Sequence, residues 1–278
     1  MVNLQKEQFY PSDYHCDCRF CMKYMGRLIK PDGSYYNKFE RNKYYDKQAE
    51  KAHIAKTPLH VAKWAIQEYS AEGDWVLDPT MGAGTTAVEA LLQKRNVAGV
   101  ELQFFDVIAA NVSINNPHGC KTDLHSGDAR ELLSFVGSKK RFQLIVNNPP
   151  YSGDEQEGGI GKNKVMRTYD RDLPANLAFL KENQDYWNTI RDIYGKSISV
   201  LKKNGHFVIG VKDMVKNKKP FLLHFFYGEI LEELGLTFQG MALLPHYPPT
   251  LFMSTYNKRF PEVPVPRYQT ILIFKKET

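Results

Sequence analysis

No apolar run in this 278-residue sequence approaches the length of a bilayer span. The longest apolar-aromatic stretch, 221–227, is interrupted by His224, whereas a spanning helix needs ~20 apolar residues. The first residues, MVNLQKEQFYPSD, contain no apolar segment of the secretory type, so a soluble, cytoplasmic protein is expected. Cysteine is scarce: there are four, and Cys16, Cys18 and Cys21 crowd together, which excludes a disulfide framework. No internal repeat is present. Intrinsic disorder is excluded as well, because 42% of residues are hydrophobic and 24% charged, enough for a packed core. At ~150 residues per domain, the length fits two units or one large α/β domain with an appendage.

What is present is unevenly distributed. The net charge of +6 resolves into +4 over residues 1–56, −2 over 57–151 and +4 over 152–278. Basic flanks point to an anionic partner such as nucleic acid, and the mildly acidic middle to a small-molecule site. Residues 1–55 hold ten aromatics but only five Val, Leu or Ile, too few for an independent core. This segment is expected to form an extension, with the main domain spanning 56–278.

From residue 57 the hydrophobic pattern switches repeatedly between helical and strand periods. Helices are predicted over 57–70, 85–93, 105–112, 129–135, 187–201 and 221–234. Strands are predicted over 74–77, 97–102, around Leu124, and over 142–146, 206–211, 237–244 and 270–274. The Asn204-Gly205 pair is expected to end the fifth of those helices, and 212–220 reads as a basic loop. Alternation of strand and helix implies a doubly wound, mostly parallel α/β sheet. The final strand pair lacks an intervening helix and is expected to be antiparallel.

The run Asp78-Pro79-Thr80-Met81-Gly82-Ala83-Gly84-Thr85-Thr86 joins the first strand to a helix. Gly82 and Gly84 permit close backbone approach to a ligand, and the helix start offers N–H donors. A dinucleotide loop would carry GxGxxG, but here the third glycine is missing and an acid precedes the turn. Asp78 would repel a pyrophosphate yet pair with an amino-bearing ligand. Glu101, at the tip of the second strand, suits the two hydroxyls of an adenosine ribose. Asp128, after the third strand, fits a helix cap as well as an acceptor for an adenine amino group. A nucleoside with a cationic, amino-acid-like tail matches these acids, so S-adenosylmethionine (SAM) fits better than NAD.

The fourth strand runs into Asn147-Asn148-Pro149-Pro150-Tyr151, at the sheet edge where doubly wound folds bind ligands. Two consecutive prolines make a rigid turn without N–H donors. An Asn side-chain oxygen and a Pro carbonyl can accept both hydrogens of an exocyclic NH₂ group. This frees the nitrogen lone pair for an electrophilic methyl, and orientation replaces an ionised base. Tyr151 is placed to stack on the base.

With these residues the sequence resembles the class I SAM-dependent DNA amino-methyltransferases, the N6-adenine/N4-cytosine DNA methylases. Asn148-Pro149-Pro150-Tyr151 matches their catalytic signature, Asp78 to Thr86 their cofactor loop, and Lys56-Thr57-Pro58-Leu59 their upstream cofactor wall. The resemblance covers about residues 56–275 and implies a seven-stranded Rossmann-like sheet with an antiparallel last strand. Thr80 stands where the family carries Phe before its first glycine. Only 152–186 and 245–268 are free of core elements, which leaves no room for a large target-recognition domain. Single-stranded or locally unpaired nucleic acid is therefore an expected substrate alongside a duplex with a flipped base.

Asn before the proline pair leans by family tendency towards adenine N6. Cytosine N4 methylation, an RNA base amino-methyltransferase and a non-catalytic nucleic-acid-binding module are the alternatives. Lys162, Lys164, Arg167, Tyr169 and Arg171, then Lys212, Lys216, Lys218 and Lys219, then His246, Tyr247, Tyr256, Lys258 and Arg259 are candidate nucleic-acid contacts. Ordinary solvated loops explain each group equally well. Cys18 and Cys21, with Cys16 or His15 as a third ligand, could hold a structural zinc, the fourth ligand coming from Cys120, His118, His125 or a partner. Reduced free thiols are the alternative.

Overall fold

The computed structural model describes residues 41, 43–47, 57–139, 141–151, 170, 173, 176, 177, 180, 184–216, 218–245, 258–263, 266 and 268–278. The ordered elements are α1 (Leu59–Tyr69), β1 (Trp75–Asp78), α2 (Thr85–Leu92), β2 (Asn96–Glu101), α3 (Phe105–Ser113) and β3 (Thr122–Ser126). A 3-10 turn (Ala129–Glu131) and α4 (Leu132–Val136) lead into β4 (Phe142–Asn147). Then come α5 (Gln184–Ser199), β5 (Leu201–Lys212), β6 (Met214–Lys216), β7 (Lys219–Phe221), α6 (Leu223–Glu233), β8 (Thr237–Pro245) and β9 (Tyr268–Lys275). Among the described residues no helix is long and apolar enough to cross a membrane.

Seven strands form one sheet in the order β3-β2-β1-β4-β5-β9-β8. The pairs from β3 through β5 are parallel, and β9 runs antiparallel to both β5 and β8. The doubly wound mostly parallel sheet and its antiparallel end are thus as expected. Strand alternation explains the two layers of core. Val76, Val97, Leu144, Val146, Val208, Ile271 and Ile273 pack with Val61, Trp64 and Ile66 of α1 and Ala87, Ala90 and Leu91 of α2. Their neighbours Leu77, Ala98, Ile145, Phe207, Ile209, Leu272 and Phe274 face the other way, onto Tyr186, Tyr194, Tyr227 and Ile230 of α5 and α6.

Two local expectations are corrected. The fifth predicted helix stops at Ser199, and Leu201 already belongs to β5. Leu201 pairs with Phe142 while His206 pairs with Leu144, so residues 202–205 form an irregularity inside the strand. There Asn204 adopts φ 61° and its N–H donates to the Lys276 carbonyl (2.7 Å), so the turn chemistry read as a helix stop tightens a strand instead. The basic loop after β5 is also ordered. β6 and β7 form an antiparallel hairpin in which Met214 faces Phe221 and Lys216 faces Lys219, with Lys218 at φ 60° in the turn.

Candidate active site

The carboxyl ends of β1, β2 and β4 lie side by side in the sheet; β1 and β2 end in the acids expected at the cofactor site, and β4 runs into the expected catalytic turn. Asp78 ends β1 and is only 2% exposed. Its Oδ1 accepts the Thr80 N–H (3.2 Å) and the Asn147 side-chain N–H (3.0 Å). Burial pushes its carboxyl up to about 7; hydrogen bonding from Thr86, Asn147 and Thr80 opposes that rise, and the Glu101 charge adds to it. Pro79 is buried beside it. Asn147 also donates to the Thr80 hydroxyl (2.8 Å) and accepts from the Tyr194 hydroxyl of α5 (2.8 Å). Its amide therefore braces the whole turn from Asp78 to Thr80.

Glu101, 8% exposed at the tip of β2, collects backbone donors. Oε2 accepts from Gly82 (2.7 Å), and Oε1 from Gln103 (3.0 Å) and Phe104 (3.1 Å). Burial raises its carboxyl above the ordinary range, and these N–H groups oppose the rise. Gly82 (φ 55°) and Gly84 (φ 77°) both occupy the left-handed region, which a side chain would strain. Gly84 is the N-cap of α2 and makes no side-chain cap, so its helix start is a backbone donor surface. Thr85 and Thr86 are buried in the first turn.

The sheet positions Asp128 near the same edge, because Glu101 pairs with Ser126 on β3. There the cap reading is realised. Asp128 accepts from the Arg130 N–H (2.9 Å) and forms an ion pair with the Arg130 guanidinium (2.6 Å).

Asn148, Pro149, Pro150 and Tyr151 leave the end of β4, and long-range hydrogen bonds pin three of the four. Gln269 of β9 donates to Asn148 Oδ1 (3.2 Å). The Tyr186 hydroxyl of α5 donates to the Pro150 carbonyl (2.8 Å) and meets the Tyr227 hydroxyl (2.6 Å). It does not take the Pro149 carbonyl, the acceptor expected for a target amine. The Lys212 N–H donates to the Tyr151 hydroxyl (2.7 Å), tethering that ring to the end of β5. Burial also lowers the Lys212 ammonium.

Several contributors were not visible in the sequence reading. Arg41, 6% exposed, donates to the Thr57 carbonyl (3.1 Å) and the Thr85 hydroxyl (3.0 Å), and its guanidinium lies over the Tyr45 ring. Asn111 of α3 donates to the Ala83 carbonyl (3.0 Å) and accepts the Asp46 N–H (2.9 Å). Asn147, Tyr186, Tyr194, Gly210 and Gln269 complete the set. Each bonds or packs across a long sequence separation, and periodicity marks the tyrosines only as core.

Lys218 and Arg259, two of the expected nucleic-acid contacts, come together although 41 residues separate them in sequence. Both are exposed, and both cations lie over the Phe260 ring, at 4.7 and 5.4 Å. Lys219 and Lys258 are exposed beside them in the chain. Lys216 lies in β6. Lys162, Lys164, Arg167 and Arg171 fall outside the described residues, as do Lys56 and the Cys16, Cys18 and Cys21 cluster. Among the described residues no group of His, Cys, Asp or Glu could hold a metal ion. Cys120 is a free, half-buried thiol, and His125 pairs with Asp123 (2.7 Å).

A family model described as DNA methylase matches residues 8–108, a span that includes the Asp78–Gly84 turn and Glu101. That span is a little over a third of the chain, and over it the sequence resembles the DNA methylases. The match runs across the expected 55/56 boundary and ends before Asn148. Type II methyltransferase M.MthZI of Methanothermobacter thermautotrophicus is 43% identical over 58 residues, 20% of this chain and 16% of that one. M.BglI of Bacillus subtilis is 49% identical over 49 residues, 18% of this chain and 14% of its own. The chain thus matches about one-sixth of the length of these relatives. Among solved structures, TrmN from Thermus thermophilus shares the fold at TM-score 0.50 and 14% identity, over 83% of this chain and 52% of that one. A methyltransferase from Pyrococcus furiosus does so at 0.50 and 15%, over 88% and 100%. These two likenesses speak for the class I methyltransferase fold alone.

Proposed function

We propose that this protein transfers a methyl group from SAM to an exocyclic amino group of a base in DNA, adenine N6 by preference. The observation that carries the reading is the Asn148–Tyr151 turn, anchored by β5, β9 and α5 directly beyond the strand that lies beside Asp78. Residues 56–278 would form the methyltransferase domain and 1–55 its extension.

The residues present suit SAM. Asp78 offers a buried carboxyl to a cationic amino group, Glu101 an acceptor for ribose hydroxyls, and the turn through Gly82 and Gly84 its backbone, with Gly84 packed on Ile108. Thr57, Pro79, Thr80, Thr85 and Thr86 line the same turn, and Lys56 and Asp128 are the outer candidates. When bound, SAM supplies an electrophilic methyl group.

Asn148 Oδ1 and the Pro149 carbonyl accept the two hydrogens of the target amine. An aryl amine is flat because its lone pair is shared with the ring. Holding both hydrogens to one side favours the pyramidal nitrogen and points its lone pair outward. As that nitrogen becomes cationic, the same two oxygens are stabilising dipoles already in place. Tyr151, tethered through its hydroxyl, presents its ring to the base. Lys216, Lys218, Lys219, Lys258 and Arg259 would meet phosphates, with Lys162, Lys164, Arg167 and Arg171 as further candidates.

Transfer from tritiated SAM to DNA and to RNA, followed by nucleoside mass spectrometry, tests the reading. N6-methyladenine in DNA is the expected product, and Asn148→Ala is expected to abolish transfer while SAM still binds. Cytosine N4 product would replace the base preference. Label confined to RNA would replace the substrate class, and full activity of Asn148→Ala would overturn the mechanism.

A further inference from the structure

We infer that Gln269 and Gly210 are positioning residues for the Asn148 amide, Gln269 by selecting its orientation and Gly210 by leaving it room. This inference rests on the reading of Asn148 given above. Gln269 lies on β9, is 7% exposed, and donates from Nε2 to Asn148 Oδ1. It pairs with Lys212, and Gly210 sits two residues earlier on β5, on the same face of the sheet. A Cβ at residue 210 would stand 2.0 Å from Asn148 Oδ1 and 2.7 Å from Gln269 Nε2. The φ of Gly210 is outside the left-handed region, so its value is space rather than backbone freedom. The two strands therefore form a slot that one amide fills.

The slot matters because an asparagine amide is nearly isosteric when turned by 180°. Turned one way, it offers an oxygen to the target amine; turned the other, it opposes the amine with its own N–H groups. While Gln269 keeps Nε2 turned to Asn148, its donor satisfies one lone pair of Oδ1, and a flip of the Asn148 amide alone would set Nδ2 against Nε2. The second lone pair is left for the amine. Burial raises the cost of the wrong choice, since an unmatched donor pair inside the protein loses its hydration without compensation.

The test compares the purified full chain with Gln269→Leu, Gln269→Glu and Gly210→Ala in tritiated-SAM transfer to unmethylated genomic DNA. Gln269→Leu is expected to lower kcat ~10–100-fold, the scale of lost orientation, with KM for SAM within about twofold of the parent. Gln269→Glu discriminates further, because the introduced carboxyl can donate only when protonated. Its kcat is expected to fall as pH rises from about 6 to 9, a limb the parent lacks. Gly210→Ala is expected to lose turnover while retaining SAM binding. Parent-like kcat and pH profile in Gln269→Glu would overturn the inference, and so would a Gln269→Leu defect confined to KM for SAM. Should the parent methylate no nucleic acid, the functional reading fails separately. The ¹⁵N side-chain signal of Asn148, identified by its loss in Asn148→Ala, then decides the contact. Its displacement in Gln269→Leu is expected, and an unmoved signal would overturn the inference.

Discussion

Asp78 has a carboxyl whose ionisation falls at about 7, so its charge changes within the working range of a cell. The sign of the consequence follows from linkage. The folded state holds the proton more tightly than the unfolded chain, whose Asp titrates near 3.8. Ligand-free protein should therefore lose stability as pH rises from 3.8 to about 7 and level off beyond. A cationic amino group favours the ionised form, so SAM affinity should weaken by about tenfold per pH unit below the Asp78 midpoint. Calorimetric titration between pH 5.5 and 7 checks this, and Asp78→Asn should flatten the profile. The place of Asp78 at the end of β1 was legible because the acid sits before a glycine turn. Gln269 was not, because its partner Asn148 lies 121 residues away and nothing local distinguishes it from a strand-edge residue.

At the scale of elements, the turn of the β6–β7 hairpin brings Lys218 to the 258–260 segment, over Phe260 beside Arg259. Replacing Lys218 and Lys219 by Ala should weaken DNA binding evenly across sequences and reduce the salt slope by ~2. Anisotropy titrations at several salt concentrations measure this. The long elements of the sheet were legible because alternation and helical period persist over whole strands and helices. The hairpin escaped because three-residue strands are too short to show a period, and its turn has no glycine to announce it. Leu201 misled for the same reason: a single apolar residue extends a helical stripe and a strand equally well, until its pairing with Phe142 decides.

Over the whole molecule, Arg41 and Asp46 are bonded into the candidate cofactor site. Arg41 spans Thr57 and Thr85, while Asn111 joins Asp46 to Ala83. Arg41→Ala should cost about 1–3 kcal/mol of stability, because the buried Thr85 hydroxyl and the part-buried Thr57 carbonyl lose their donor. Thermal melts with and without SAM should show a lowered Tm and a smaller shift on adding SAM. Nothing local in the sequence marked Arg41 for this place, since a buried arginine looks like any surface cation in sequence. Asn147 and Asn148 carry a consequence for the whole chain. The Asn147 side chain bonds to Asp78 of β1 and Tyr194 of α5, and the Asn148 side chain bonds to Gln269 of β9 and packs against Gly210 of β5. On the proposed reading, a single peptide link therefore separates the amide that braces the cofactor turn from the amide that receives the target amine. One residue inserted or deleted here would carry both side chains away from their present partners.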